Sequence, residues 1–187
     1  MTDSTNARAS GNARFETLDD WEMPMVRRQV AAASRPSVRS VAVAINHLGN
    51  GWIYLLLAMM VFATQGWGAL HVAWPAITAA LVAHCVYPTV KTYIARPRPI
   101  ERDPMLTRTI IPPLDAYSFP SGHCMTAVAA AIPLSIAYPR TILPLSAAVL
   151  LVGWARLALG HHYPSDLIFG AVLGTTISVP VSWYFLL

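Results

Sequence analysis

Charge is what this sequence most lacks. Asp, Glu, Lys and Arg make up only 12% of its residues, about half the share of an ordinary soluble domain. None of the four occurs between Arg39 and Lys91, and none follows Asp166. In a chain that is 55% hydrophobic, gaps of that length exclude a water-soluble fold and predict an integral membrane protein. Cysteine is also scarce. Cys85 and Cys124 sit in separate apolar segments, so no disulfide framework is expected. Cys124, although next to His123, reads as a small buried residue rather than a thiol nucleophile. No apolar core lies near the start: Met1–Asp20 is polar and mixed in charge, so no cleavable signal peptide is expected. No basic, aromatic-interleaved polar surface is present either, which sets nucleic acid aside as a partner. The net charge of +4 suits anionic lipid head groups or an anionic substrate.

The apolar sequence divides into runs of membrane-spanning length. Residues 1–12 are small and polar and predict an irregular terminus. From Arg14 to Ala33, Phe15, Leu18, Trp21, Met25 and Val26 recur at helical spacing, with acids and arginines on other faces. That pattern predicts an amphipathic helix on the membrane surface. Ser34-Arg35-Pro36 breaks it, and a second short amphipathic piece, Ser37–Asn46, leads to the turn Gly49-Asn50-Gly51. Spans are then expected at Trp52–Leu70, Trp74–Ile94, Ser121–Tyr138, Thr141–Leu159 and Ser165–Leu187. The fold class is therefore all-α: a polytopic membrane bundle of about five transmembrane helices. An N-terminal part (1–46) with its interfacial helix precedes a transmembrane domain (47–187).

Between the second and third spans lies Ala95–Phe119, rich in proline and charge and without periodicity, as functional loops are. Three charged clusters flank the spans: Lys91-x6-Arg98-Pro99, Pro120-Ser121-Gly122-His123 and Arg156-x5-His162-x3-Asp166. Counting crossings puts all three on the same membrane face. Pro120 suits a first helical turn, and the amides of Ser121 and Gly122 are expected as free donors at a helix N-terminus, where anions bind. Lys91, Arg98 and Arg156 can hold phosphoryl oxygens and neutralise charge during transfer. The spacing of His162 to Asp166 lets a carboxylate fix one ring nitrogen and free the other to attack. His123 is placed to protonate a leaving oxygen. His161 reads as structural. No metal site is expected, because the nearby cations repel one and no paired ligand spacing occurs.

These clusters carry a resemblance to the type-2 phosphatidic acid phosphatase family of membrane lipid phosphatases. Its signature is Lys-x6-Arg-Pro, Pro-Ser-Gly-His and Ser-Arg-x5-His-x3-Asp. The matching positions are Lys91, Arg98, Pro99, Pro120, Ser121, Gly122, His123, Arg156, His162 and Asp166. The resemblance covers Gly49 to the C-terminus. It implies metal- and cofactor-independent hydrolysis of a lipid phosphomonoester or diphosphate through a phosphohistidine: an isoprenyl diphosphate, phosphatidic acid or phosphatidylglycerol phosphate. It makes His162 the nucleophile, His123 the acid and Asp166 the orienting carboxylate, with Lys91, Arg98, Ser121, Gly122 and Arg156 binding phosphate. A lipid phosphotransferase with the same site and a non-catalytic lipid-phosphate carrier are the alternatives. Two features depart from the family: Ala155 stands where serine is usual, and five spans are expected rather than six. The arginines before the first span point to a cytoplasmic N-terminus and site. The resemblance to bacterial members implies a cell-membrane protein whose site faces the periplasm. The sequence sets no oligomeric state.

Overall fold

The computed structural model describes residues 3–106 and 111–186, and every regular element among them is helical. Helices α1 (Asp3–Ala32) and α2 (Pro36–His47) precede the apolar helices α3 (Ile53–Gln65) and α4 (Leu70–Ile94). A short α5 (Pro99–Arg102) opens the long connection to α6 (Gly122–Ala137), and α7 (Ile142–Ala158) and α8 (Pro164–Leu186) follow. The expected spans correspond to α3, α4, α6, α7 and α8. Among the described residues, three stretches are long and apolar enough to cross a membrane: Met59–Arg102, which contains α4, Pro139–Ala158 and Pro164–Leu186. Helix α6, with 16 residues, is shorter and sits at the centre, against α4 and α8.

Small residues set how closely that centre packs. Along α8, Gly170, Gly174, Ser178 and Ser182 recur every fourth position and are buried, whereas Ile168, Phe169, Val172, Trp183 and Tyr184 are exposed. A Cβ at Gly170 would lie 2.6 Å from the Ser121 carbonyl oxygen, and one at Gly174 closer still to that of Met125. Only glycine lets the α6 and α8 backbones approach this way. The Ser178 hydroxyl donates across the same seam to the Ala129 carbonyl at 2.7 Å. The large apolar side chains left outside suit a hydrocarbon surround rather than water.

The ends of the helices position the site. Helix α4 stops at Ala95, whose φ of 53° is left-handed and whose amide closes on the Lys91 carbonyl at 2.8 Å. Pro97 and Pro99 then hold Arg96 and Arg98 out of helical geometry. Between α2 and α3, Gly51 at φ 128° makes the turn. Helix α1 reaches back to Asp3, beyond the irregular residues expected through 12, because Gly11 is the only breaker in that stretch and one glycine does not stop a helix. Its burial differs from a simple surface helix: Trp21 is 68% exposed while Asp19 is fully buried.

Candidate active site

Lys91, Gly122, His123, Arg156 and His162 line one cavity of about 420 Å³ at a single end of the bundle. The crossing count predicted that shared end. Arg98, Ser121 and Asp166 are buried behind this lining. His162 lies in the turn between α7 and α8, where Gly160 takes φ 67°. Its Nε2 is 3.4 Å from Arg98 Nη1. A guanidinium only donates, so Nε2 presents a lone pair and the proton belongs on Nδ1. Nδ1 faces Asp166 Oδ2 at 3.5 Å but makes no hydrogen bond there. The Tyr163 amide takes that oxygen at 2.8 Å, so the expected carboxylate–imidazole bond is a longer contact. Burial, then the positive charges of Arg98, Arg156 and Lys91, hold the His162 imidazole well below the ordinary histidine range, leaving it neutral at pH 7.

His123 Nε2 lies 2.7 Å from Asn50 Oδ1. With the amide oxygen as acceptor, Nε2 carries the proton. Arg156 Nη1 donates to Asn46 Oδ1, while its Nε is buried without a partner. Helix α6 begins at Gly122 with Ser121 as its cap, the Ser121 hydroxyl accepting from the Cys124 amide at 3.5 Å. Pro120 thus precedes the cap instead of lying in the first turn. The Ser121 amide is not a free donor as expected. It bonds the Asp166 carbonyl at 3.0 Å, because Gly170 brings α8 close enough to reach it.

Two of the cations already hold a carboxylate. Lys91 Nζ donates to Asp115 Oδ1 and Oδ2 at 2.8 and 2.9 Å, and Arg98 Nη2 to Oδ1 at 2.6 Å. Burial pushes the Asp115 carboxyl up, but Lys91 and Arg98 outweigh it and hold the group below its usual range. His161 fastens the same connection, its Nε2 lying 2.8 Å from the Ile111 carbonyl. Burial, then the charge of Arg156, pushes His161 down to about 3.

Behind Asp166 is a polar network the sequence reading did not identify. Arg96, fully buried, donates from Nη1 to Asp166 Oδ1 at 2.6 Å and to the Ser165 hydroxyl at 2.7 Å. Its Nε and Nη2 reach Asp19 Oδ1 at 2.8 and 2.6 Å, and Nη2 reaches Glu22 Oε2 at 2.8 Å. Glu22 also accepts from the Ser165 amide at 2.7 Å. Helix α1 therefore supplies carboxylates one step behind the site. The available signals were two acids three residues apart on one helix, and two asparagines, Asn46 and Asn50, four apart in the charge-free stretch.

A cavity lined by Lys91, Arg156, His123 and His162, with Arg98 behind it, at the end of an apolar helix bundle, defines a membrane-embedded phosphatase. The chain belongs to the PAP2 superfamily, whose sequence model matches residues 72–186. It is 33% identical over 163 residues, 84% of this chain and 86% of the relative, to decaprenylphosphoryl-5-phosphoribose phosphatase of Mycobacterium tuberculosis. To the undecaprenyl-diphosphatase BcrC of Bacillus subtilis it is 32% identical over 124 residues, 66% of this chain and 62% of that one. The fold matches the crystal structure of a transmembrane PAP2 type phosphatidylglycerolphosphate phosphatase from Bacillus subtilis with a TM-score of 0.70, at 20% identity over 98% of this chain and 96% of the other. The match to the family model begins after Asp19, Glu22, Asn46 and Asn50.

Proposed function

We propose that this protein hydrolyses the phosphomonoester or diphosphate of a lipid through a phosphohistidine at His162. The observation that carries this is the position of His162 Nε2, 3.4 Å from the donating Arg98 Nη1 and on the wall of a cavity shared with Lys91, Arg156 and His123. Lys91, Arg98 and Arg156 hold the non-bridging oxygens, with the Gly122 amide and the Ser121 hydroxyl as further donors. His162 Nε2 attacks phosphorus as the bond to the leaving oxygen breaks, and His123, entering the step as an imidazolium, gives its Nε2 proton to that oxygen and becomes neutral. Water then attacks the phosphohistidine, His123 takes its proton, and inorganic phosphate leaves. Asp166 steadies the imidazolium that forms.

A lipid chain has a place to lie. An apolar pocket of about 90 Å³ shares Tyr54, Ile77 and Ala80 with the main cavity. Ile77 and Leu81, on the cavity wall, are 48% and 59% exposed on the outer face of α4, so a tail enters sideways from the bilayer. Two relatives matched over long stretches, 84% and 66% of this chain, have names that refer to isoprenyl phosphates, which supports an isoprenyl phosphate or diphosphate over a glycerophospholipid. In this reading the protein resides in a bacterial inner membrane with the site facing the periplasm. Purified protein should release phosphate from an isoprenyl, glycerophospholipid and lipid A panel in the presence of EDTA, fastest from isoprenyl substrates, and vanadate should inhibit. Release by His162→Ala at the unmutated rate would overturn the nucleophile assignment. Labelled substrate offered with alcohol acceptors separates hydrolysis from transfer, since a hydrolase yields inorganic phosphate alone.

A further inference from the structure

Asp115 reaches the candidate phosphate-holding cations from the open side. Its side chain is 40% exposed, whereas those of Lys91 and Arg98 are 5% and 1% exposed. It lines the same cavity as Lys91 and His162, and both of its carboxylate oxygens are engaged by the cations. The segment that carries it is tied down on either side. The Ile111 carbonyl is held by His161 at 2.8 Å, and the Ser118 amide donates to the Arg96 carbonyl at 2.9 Å. The backbone closes on the cations too, with Lys91 Nζ donating to the Tyr117 carbonyl at 3.0 Å and Arg98 Nε to the Asp115 carbonyl at 2.9 Å. A phosphoryl group within reach of His162 Nε2 needs the charges of Lys91 and Arg98, and the donors it would use are already occupied by a carboxylate.

We propose that Asp115 is a specificity-determining residue: its carboxylate is an internal anion on the phosphate-holding cations, and a substrate enters by displacing it. This rests on the phosphatase reading of the site. A carboxylate carries one negative charge on two oxygens. A phosphomonoester dianion or a terminal diphosphate brings more charge and three terminal oxygens, and so outcompetes it. A phosphodiester carries a single charge and only two free oxygens, and does not. Most phospholipid head groups in a bilayer are phosphodiesters, present in vast excess over any minor lipid phosphate. Asp115 thus keeps the cations from being occupied by bulk lipid, at the cost of weaker binding of the true substrate.

The test compares unmutated protein with Asp115→Asn and Asp115→Ala in detergent micelles. It measures KM for an isoprenyl phosphate, the vanadate inhibition constant, and inhibition by added phosphatidylglycerol. Thermal melts confirm folding, and the asparagine variant preserves the side-chain shape. KM and the vanadate constant are expected to fall by roughly tenfold, the scale of one charge-assisted hydrogen bond. The fall should be larger for alanine, since the amide oxygen of asparagine still accepts from Lys91. Phosphatidylglycerol should become an inhibitor of both variants. Constants that stay level or rise, with the unmutated protein active, overturn the proposal and make Asp115 a support for the cations. Unmutated protein that neither releases phosphate nor responds to vanadate fails at the earlier step, and the phosphatase reading falls with the inference.

Discussion

Replacing Arg96 by lysine keeps a positive charge in place and removes the fork that spreads it. The guanidinium reaches Asp19, Glu22 and Asp166 from three nitrogens, at 2.6 to 2.8 Å, and stacks with its Cζ 4.1 Å from the Tyr163 ring centre. A lysine ammonium donates from a single atom and cannot face all three carboxylates. At least one of them, in a site where Asp19 and Asp166 are both fully buried, then loses its partner. Breaking a buried ion pair outright costs about 3–5 kcal/mol. With the charge retained nearby, the loss is closer to one hydrogen bond to a charged group, about 1.5–3 kcal/mol. If a similar energy is lost from the orientation of Asp166 in the transition state, kcat drops roughly 10- to 100-fold, at about 1.4 kcal/mol per factor of ten. KM should change little, since among the described residues the Arg96 side chain hydrogen-bonds only to Asp19, Glu22, Ser165 and Asp166, one step behind the groups that face the cavity. The assay is phosphate release in micelles with kcat and KM resolved separately, beside a thermal unfolding series. Adding Glu22→Gln should restore part of the lost stability, because lysine then serves fewer carboxylates. An Arg96→Lys variant with kcat within twofold of the unmutated value would refute this role.

Asn50→Ala removes the acceptor that holds the proton on His123 Nε2. We expect kcat to fall about tenfold with little change in KM, least for substrates with good leaving groups; an equal fall for all leaving groups argues against a role in protonation. Stability should decline on acidification. His161 and His162 are neutral when folded, with His161 at about 3 and His162 well below 6.5, whereas the unfolded chain takes up these protons near 6.5. The unfolded state therefore binds more protons below that pH, and stability falls as pH drops from about 6.5 toward 3. The thermal midpoint should be lower at pH 5 than at pH 7.5, and His161→Asn should flatten the dependence. A midpoint that rises on acidification contradicts this.

What the sequence makes legible here is local or topological. The charge gaps mark the apolar helices, and the parity of crossings brings Lys91, His123 and His162 to one end. The proline after Arg96 and the cap at Ser121 fix where α4 stops and α6 starts. Contacts between distant elements have no such marker. Arg96 and Asp19 are 77 positions apart, and His123 and Asn50 are 73 apart; each residue alone reads as an interfacial charge or a turn. The Ser121 amide shows the same limit, since counting donors within one helix start cannot reveal a carbonyl supplied by α8 through the gap at Gly170. Asp115 was visible as an acid in a cation-rich loop, but its seat on Lys91 and Arg98 depends on the path of the loop.

The most direct test is to mix the enzyme with lipid substrate labelled in the transferred phosphate, quench within milliseconds, and map the label by mass spectrometry. Phosphate bound to His162 in an acid-labile, base-stable linkage, reduced in Asp166→Asn and absent in His162→Ala, is the predicted result. Label on any other residue, or turnover by His162→Ala at the unmutated rate, would contradict the claim that His162 attacks phosphorus while Lys91, Arg98 and Arg156 hold it.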